Sequence, residues 1–328
     1  MTIAIAILNW NGKTWLEKFL PSVIECSQEA EIYVIDNAST DDSVQFLTSN
    51  FPSVKIIQNQ SNSGFAKGYN EGLKSIKADI YCLLNSDVEV TENWLSPIIN
   101  LFSVNKDIAA IQPKILDYNN KNKFEFAGSA GGFIDNLGYP YCRGRVFDDI
   151  EFDYGQYDDE TEIFWASGCS LFIRSADFWD MNGFDERFFA HQEEIDLCWR
   201  LKNAGRKIYY TGKSKVYHVG GGTLNKQDPQ KTFLNFRNNL TMLLKNLPAS
   251  KVFFILFFRL NLDAYAALYL AYKNGWRHFW AVFKSHVGFY WQLPKSIQLR
   301  QKSQIDPYYH TKWLMFKHFL GSKKQSIT

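Results

Sequence analysis

The sequence IAIAILNWN at residues 3–11 decides the fold, because the apolar run Ile3–Leu8 ends abruptly in the polar residues Asn9 and Asn11. A short apolar run bounded by polar residues is typical of a strand that is buried on both faces. The run has neither the basic flank nor the cleavage site of a signal peptide. We therefore expect a buried strand at the start of the chain.

The same pattern recurs through the first 110 residues, where short apolar runs alternate with amphipathic stretches. The further predicted strands are Ile32–Ile35, Val54–Gln58 and Ile80–Leu84, and the helices between them are Lys13–Cys26, Ser43–Asn50 and Ala66–Ser75. This alternation predicts an α/β fold with a mainly parallel sheet flanked by helices. Ligands of such sheets bind beyond the carboxyl ends of the strands, so we expect the polar clusters there to share one edge.

The later part of the chain has a weaker pattern. Residues 117–160 are rich in Gly, Asn, Asp and Tyr and predict an irregular segment. Phe164–Arg174 is predicted as a strand, and Glu193–Ala204 and Lys231–Leu247 as helices, the last ended by Pro248.

The cysteine pattern indicates the redox compartment, and the charged residues are unevenly distributed along the chain. Five cysteines without a C-x-x-C pair argue against a disulfide framework and a zinc site, and indicate a reducing compartment. The net charge of +2 combines two unequal parts. Residues 231–328 contain 15 Lys and Arg and 2 Asp, which give a charge of +13. Residues 1–230 contain 21 Lys and Arg and 32 Asp and Glu, which give a charge of −11.

Two polar segments at predicted strand ends suit a nucleotide. Asp36 follows a strand and could accept the imide N–H of uracil or thymine, although for Asp36 alone a helix cap is the favoured explanation. The glycine-containing segment 62–70, NSGFAKGYN, offers backbone amides and Lys67 to a diphosphate. A tight turn entering a helix needs the same glycines, and the segment matches no P-loop or dinucleotide fingerprint.

Carboxylates recur at two further places. Asp87, at the end of a buried strand, is suited to hold Mg²⁺ or Mn²⁺, or is simply a polar loop residue. Glu193, Glu194 and Asp196 open a helix after an aromatic run, where a partly desolvated carboxylate suits a general base. Helix-dipole stabilisation and an i,i+4 pair of Asp196 with Arg200 are the structural alternatives.

In their order and spacing these segments resemble the family 2 glycosyltransferases, most strongly the branch with bacterial rhamnosyl- and galactofuranosyltransferases. The resemblance covers roughly residues 3–240. It is carried by the segments ILNWN (7–11), VIDNASTD (34–41), NSGFAKGYN (62–70), LLNSDV (83–88), GFDE (183–186) and EEIDLCWR (193–200).

The resemblance implies a GT-A fold, an inverting transfer and a set of site residues. Glu194 falls at the position of the catalytic base, with Glu193 or Asp196 as fallback assignments because the family more often has Asp there. Asp87 and His218 are implied as ligands of Mg²⁺ or Mn²⁺, with Asn85 replacing the first acid of the family's metal motif. The implied nucleotide-sugar contacts are Leu8, Asn9, Asn11, Asp36, Asn62, Gly64, Lys67, Asn70, Asn85 and Ser86.

The C-terminal segment predicts a membrane surface helix. Residues 252–272 have the length of a membrane span, but Arg259, Asn261 and Asp263 interrupt them. Each such charge costs about 2.5–3.5 kcal/mol in a bilayer, although Arg259 and Asp263 could pair at i,i+4. Aromatic residues mixed with cations farther on favour helices lying in an anionic headgroup region. An oligomerisation interface is the alternative, and no nucleic-acid-reading module is present in the sequence.

The sequence thus predicts a nucleotide-sugar glycosyltransferase domain at residues 1–230 and a helical, membrane-associated extension at 231–328. The expected reaction moves rhamnose from dTDP-rhamnose, or a hexose from a UDP-sugar, to a glycan or lipid-linked glycan in cell-surface polysaccharide biosynthesis. The expected location is the inner face of the cytoplasmic membrane. The alternatives are a non-catalytic nucleotide-sugar-binding scaffold and a sugar-nucleotide pyrophosphorylase, although the latter needs a Gly-rich basic loop where residues 9–12 read NWNG.

Overall fold

The computed structural model describes residues 1–220 and 228–320, and in these ranges nine strands form one central sheet. A second sheet, of four short strands, lies in the segment predicted to be irregular. The strands in chain order are β1 (Ile3–Asn9), β2 (Glu31–Asp36), β3 (Lys55–Gln58), β4 (Ile80–Asn85), β5 (Val88–Val90), β6 (Ile108–Asp117), β7 (Gly132–Ile134), β8 (Pro140–Cys142), β9 (Arg145–Val146), β10 (Asp149–Ile150), β11 (Glu160–Ile163), β12 (Ser170–Arg174) and β13 (Lys207–His218).

Helices cover the sheet and form the C-terminal part of the chain. They are α1 (Lys13–Cys26), α2 (Ser43–Asn50), α3 (Gly64–Leu73), α4 (Leu95–Val104), α5 (Ser175–Asp180), α6 (Glu193–Asn203), α7 (Pro229–Asn246), α8 (Ala249–Asn274), α9 (Trp276–Gln298) and α10 (Leu314–Leu320), with a 3-10 turn at Glu186–Phe188.

The order of the central sheet is β11-β13-β6-β12-β4-β1-β2-β3, with β5 paired to β13. β1 pairs in parallel with β2 and β4, and β13 with β6, whereas β12 runs antiparallel between β4 and β6. The register sets Asn9 beside Asp36 and Leu8 beside Asn85. The carboxyl ends of β1, β2, β4 and β13 therefore meet at one edge.

The apolar run at the N-terminus forms a strand buried on both faces, as predicted. Ala4 and Ala6 belong to the core on one side of the sheet, and Ile3, Ile5 and Ile7 to the core on the other. Successive side chains of a strand point to opposite faces, so a strand covered on both sides needs an unbroken apolar sequence.

Two segments and several helix boundaries differ from the sequence predictions. Helices α3 and α7 begin at Gly64 and Pro229, each two residues before the predicted start. Residues 164–169 are not a strand, because only Ser170–Arg174 join the sheet; Phe164, Trp165 and Ala166 are buried in a loop, which produces the same apolar pattern. The segment 117–160 is less irregular than predicted, since it contains the four-stranded sheet β10-β9-β8-β7.

The C-terminal helices pack on the rest of the chain. Met242, Leu243 and Ile255 belong to the same core as the sheet residues Ala4 and Leu83. The boundary between residues 230 and 231 stays a prediction, and residues 321–328 of the predicted extension lie outside the described residues.

Candidate active site at the carboxyl edge of the sheet

Asp36 is held rigidly at the end of β2. Asn9 Nδ2 donates to Asp36 Oδ1 (3.0 Å), and the Ser39 backbone N–H donates to Asp36 Oδ2 (3.0 Å). Asp36 and Asn9 are both buried, at 2% and 0% exposure. A carboxylate oxygen can accept more than one hydrogen bond, so Asp36 keeps capacity for a further donor.

Asn11 fastens the two loops that follow β1 and β2. Its Oδ1 accepts hydrogen bonds from the backbone N–H groups of Thr40 (2.7 Å) and Asp41 (3.2 Å). Ser86, in the turn after β4, lies beside Gly12 of the first loop. These contacts bring the first, second and fourth strand ends into one wall.

The segment 62–70 forms the next part of the edge. Asn62 Oδ1 accepts from the Gly64 N–H (3.1 Å) and from Asn37 Nδ2 (2.9 Å). Gly64 has φ +84°, and a Cβ there would lie 2.5 Å from the Phe189 ring, so only glycine fits. Lys67, in the first turn of α3, forms an ion pair with Glu71 (3.5 Å), and its side chain is 41% exposed.

Asn70 has a structural role in the described chain. Its amide donates to the Phe184 carbonyl (2.9 Å) and accepts from the Phe184 N–H (2.9 Å), and the residue is 4% exposed. It therefore ties α3 to the segment leading into α6.

Asp87 and His218, which the family resemblance implies as metal ligands, lie side by side just after β4 and at the end of β13. His218 Nε2 lies 3.1 Å from Asp87 Oδ1 and 3.4 Å from Asn85 Nδ2. The Val219 N–H donates to the Asp87 carbonyl (3.1 Å), which fixes the two strand ends together. Although burial opposes its charge, Cys169, Glu125 and Asp87 raise the pKa of His218 well above its usual value.

Glu125 is a site residue that the sequence analysis missed. Its Oε2 lies 3.3 Å from His218 Nδ1, and both side chains are buried. It reaches the site because residues 123–125 return alongside β6, where the Glu125 N–H donates to the Ile115 carbonyl (3.2 Å). No motif in the surrounding sequence marks it.

This arrangement fits a divalent cation. Two ligands on adjacent corners of an octahedron with metal–ligand distances of about 2.1 Å lie about 3.0 Å apart, close to the separation of Asp87 and His218. A carboxylate on the far nitrogen of a metal-binding histidine is the usual outer contact of such sites, and Glu125 is placed to be one. Within residues 1–220 and 228–320 no group of three His, Cys, Asp or Glu side chains is disposed to hold a metal alone.

Glu194 lies at the start of α6 beside the other strand ends. A Cβ on Gly168 would be 3.8 Å from the Glu194 Cβ, and the neighbouring Cys169 carbonyl accepts from the Asn85 N–H (3.0 Å). Glu194 is half-buried, and its Oε2 is shielded from solvent without a hydrogen-bond partner among the described residues. Burial raises the pKa of Glu194 to about 7.

The two fallback residues have different surroundings. Asp196 accepts from Arg200 Nε, Lys245 Nζ (both 2.8 Å) and Asn246 Nδ2 (2.9 Å), and it is fully buried. This network is structural and includes the predicted i,i+4 pair with Arg200. Glu193 is 4% exposed, and burial raises its pKa well above the usual value, which disfavours the charged form that a general base needs.

The loop before Glu194 has a strained backbone. Phe189, His191 and Gln192 have φ of +65°, +70° and +73°. Positive φ costs a non-glycine residue about 1–3 kcal/mol, so surrounding contacts must maintain it. Asn238 of α7 supplies them by donating to the carbonyls of Phe188 and Ala190 (both 2.9 Å) and His191 (2.8 Å). The sequence analysis identified neither this loop conformation nor Asn238.

Comparison with known proteins gives consistent results. Residues 4–178 match the family model for glycosyl transferase family 2. The chain is 24% identical over 233 residues to the N-acetylglucosaminyl-diphospho-decaprenol L-rhamnosyltransferase of Mycobacterium tuberculosis, covering 66% of this chain and 75% of that protein. It is 37% identical over 59 residues to the rhamnosyltransferase WbbL of Escherichia coli K12, covering 18% and 22%.

Solved structures show the same fold. GalNAc-T7 with UDP, GalNAc and Mn²⁺ superposes with a TM-score of 0.61 at 18% identity, over 76% of this chain and 49% of that one. Residues 1–349 of TarS from S. aureus, in complex with UDP-GlcNAc, give 0.56 at 15% identity, over 92% and 84%. The predicted GT-A fold is confirmed.

Proposed function

Because the chain belongs to glycosyl transferase family 2, it is a glycosyltransferase, and we propose an inverting transfer in which Glu194 is the base. The observation that carries the proposal is the state of this carboxylate. It is shielded, has one oxygen without a partner in the described ranges, and has a pKa of about 7. A general base works best when its pKa lies near the operating pH.

The donor nucleotide is proposed to bind along the wall made by the β1 and β2 ends. Asp36, fixed by Asn9 and Ser39, accepts the imide N–H of a uracil or thymine base. Leu8, Asn11, Asn85 and Ser86 line the same edge, with Asn62, Gly64 and Lys67 toward the diphosphate. Asn70, which is hydrogen-bonded to Phe184 and Glu186, acts on this surface by tying α3 to the segment before α6.

Asp87 and His218 are the proposed ligands of the metal, Mg²⁺ or Mn²⁺, with Glu125 orienting His218. A cation bound there supplies positive charge to the departing nucleoside diphosphate. A related fold has been crystallised with Mn²⁺, which supports this assignment.

The reaction that follows is a single displacement. The acceptor hydroxyl gives its proton to Glu194 while its oxygen bonds to the anomeric carbon, and the bond from that carbon to the diphosphate oxygen breaks. Attack from the side opposite the leaving group inverts the anomeric centre. Asn238, by holding the loop at residues 188–191, keeps the base in line.

The donor and acceptor are proposed from the named relatives. Two of them are rhamnosyltransferases, and one takes its name from a diphospho-decaprenol glycan. We therefore assign rhamnose from dTDP-rhamnose as the first donor, with a UDP-hexose as the alternative. The proposed acceptor is a diphosphate-linked lipid glycan in cell-surface polysaccharide biosynthesis.

Helix α8 supports association with the inner face of the cytoplasmic membrane. Among the described residues it is the one helix long and apolar enough to cross a bilayer. The two charges in its middle, however, point into the protein: Arg259 and Asp263 are 3% and 1% exposed and lie 3.7 Å apart, and Arg259 Nη1 donates to the Leu137 carbonyl (2.9 Å). This attachment favours a helix that lies on the membrane surface over one that spans the bilayer.

The outer surface of α8 is apolar, which is the reverse of an ordinary surface helix. Its exposed side chains include Phe253, Phe254, Phe257, Phe258, Tyr265, Leu268, Tyr269 and Tyr272. Such a face, on a part of the chain carrying +13, suits the headgroup region of an anionic leaflet. We propose that the enzyme is peripheral and lies on this face.

The decisive experiment is release of nucleoside diphosphate by the purified chain from a panel of dTDP- and UDP-sugars. Each donor is offered with Mg²⁺ or Mn²⁺ and a bacterial lipid extract. We expect metal-dependent release from one donor, lost in E194Q. Binding of a donor without turnover of any acceptor would favour the scaffold alternative. Formation of a nucleoside triphosphate when pyrophosphate is added would favour the pyrophosphorylase.

A further inference from the structure

A groove between α7 and α9 lies outside the residues assigned above. It has a volume of about 650 Å³. Its lining combines aromatic and basic side chains: Pro229, Gln230, Phe233, Arg277, Trp280, Ala281 and Lys284. This volume is in the range of pockets that bind small organic ligands.

The cations of the groove have no acidic partner in the described ranges. Arg277 and Lys284 are exposed, seven residues apart on α9, so they lie two turns apart on the same side of the helix. Trp280 lies between them and is 54% exposed. Two unpaired cations flanking an aromatic ring suit a ligand that joins a phosphate group to an apolar chain.

The groove is connected to the base through α7. Gln230, in its lining, is followed by Lys231, whose charge acts with burial to lower the pKa of His191. Farther along α7, Asn238 donates to the backbone of the same loop. Arg237, whose guanidinium lies 5.0 Å from the Phe233 ring of the lining, donates to the Phe188 carbonyl (3.1 Å) of the loop that precedes Glu194. One side chain therefore joins the groove lining to the loop that holds the proposed base.

The other end of the groove reaches the apolar surface. Arg277 and Trp280 begin α9, just after the turn at Gly275 that joins it to α8. Tyr272 and Trp276 on either side of this turn are 93% and 66% exposed. A ligand anchored in the membrane could therefore enter the groove without leaving the surface on which the enzyme is proposed to lie.

We propose that this groove binds the phosphate-bearing head and first isoprene units of a polyprenyl-diphosphate-linked acceptor. Arg277 and Lys284 contact the diphosphate, and Phe233 and Trp280 contact the isoprene chain. The inference rests on the proposed function, since it names where that enzyme holds its lipid acceptor. It assigns to α7 and α9 a part in acceptor specificity.

Binding can be tested without transfer. Farnesyl diphosphate, a short soluble isoprenoid, is titrated calorimetrically into the full chain, with inorganic pyrophosphate and farnesol as separate arms. We expect farnesyl diphosphate to bind more tightly than either. Loss of two charge-assisted contacts in the R277A/K284A double variant should weaken it at least about tenfold. The double variant K273A/K295A, with the same charge change outside the groove lining, should bind as wild type.

The transfer reaction gives the second readout. R277A/K284A should raise KM for a polyprenyl-diphosphate glycan at least about tenfold, and leave transfer to a soluble glycoside of the same sugar unchanged. The inference would be overturned if R277A/K284A and K273A/K295A lost the same affinity for farnesyl diphosphate. It would also be overturned if phosphatidylglycerol vesicles displaced farnesyl diphosphate equally from the wild type and from R277A/K284A. A wild type that binds farnesyl diphosphate but turns over no donor would instead refute the proposed function and leave the groove as a lipid-phosphate site.

Discussion

Glu194 and Glu193 are adjacent carboxylates in different surroundings, since Glu194 is half-buried and Glu193 is 4% exposed, and exchanging each for glutamine separates their roles. E194Q removes the proposed base and keeps its shape. A positioned base contributes about 10²–10⁴-fold to the rate, so kcat should fall by that factor with little change in the affinity for donor. E193Q keeps the shape of a side chain whose charged form burial disfavours, and we expect activity within about threefold of wild type.

The pH dependence of kcat/KM is a second test of the prediction that Glu194 is the base. The base must be ionised, and burial raises its pKa to about 7. Such a carboxyl is about one-tenth ionised at pH 6 and about nine-tenths ionised at pH 8, so kcat/KM should rise about tenfold across this interval. The assay is initial-rate release of nucleoside diphosphate at subsaturating acceptor, with saturating metal at each pH.

Two results would refute this reasoning. A profile flat from pH 6 to 8, with chemistry limiting, would mean that no group of this pKa is the base. Loss of activity in E193Q together with a nearly active E194Q would move the role to Glu193, the fallback residue, whose burial then would have to be relieved on substrate binding.

Three further predictions concern stability, metal binding and the membrane. D196A leaves Lys245 and Arg200 buried with fewer partners, so the free energy of unfolding should fall by about 3–5 kcal/mol in a urea titration, and an unchanged value would make Asp196 available as a base. E125Q should weaken Mn²⁺ binding about 10–100-fold, measured from the free Mn²⁺ signal in electron paramagnetic resonance, whereas equal affinity would remove Glu125 from the site. Replacing four outward phenylalanines of α8 by serine should move the protein from sedimented anionic vesicles to the supernatant, unlike a control with Phe152 and Tyr154 replaced. The four are Phe253, Phe254, Phe257 and Phe258.

The sheet was predictable where strands are buried on both faces. Ile3–Leu8 and Ile80–Leu84 form continuous apolar runs between polar ends, and the structure confirms both. The short strands β7 to β10 were not predictable, because two or three residues are too few to show a period. Residues 164–169 were assigned wrongly, since a buried loop and a buried strand have the same composition.

The candidate site was predictable where its residues follow strands directly. Asn9, Asp36, Asn85 and Asp87 were placed at one edge by the parallel topology alone. Glu125 was not, because it reaches His218 through a return of the chain along β6 that no local pattern records.

The sequence predicted the charged pair on α8 but not the direction in which the pair faces. The spacing of Arg259 and Asp263 predicts a pair on one helix face, which the structure confirms. It does not tell which way that face points. The Leu137 carbonyl and the Tyr139 ring, which lies 3.8 Å from the Arg259 guanidinium, turn it inward.

The stereochemistry of the first product tests most directly the claim that one carboxylate, Glu194, catalyses a single displacement. The glycoside formed in early turnover, from a donor of known anomeric configuration, is examined by NMR. The proton–proton or one-bond carbon–proton coupling constant at the anomeric centre gives the configuration of the new linkage. The account predicts the opposite anomeric configuration from the donor. A product that retains the donor configuration would contradict it, because retention requires a second nucleophile or attack from the same face.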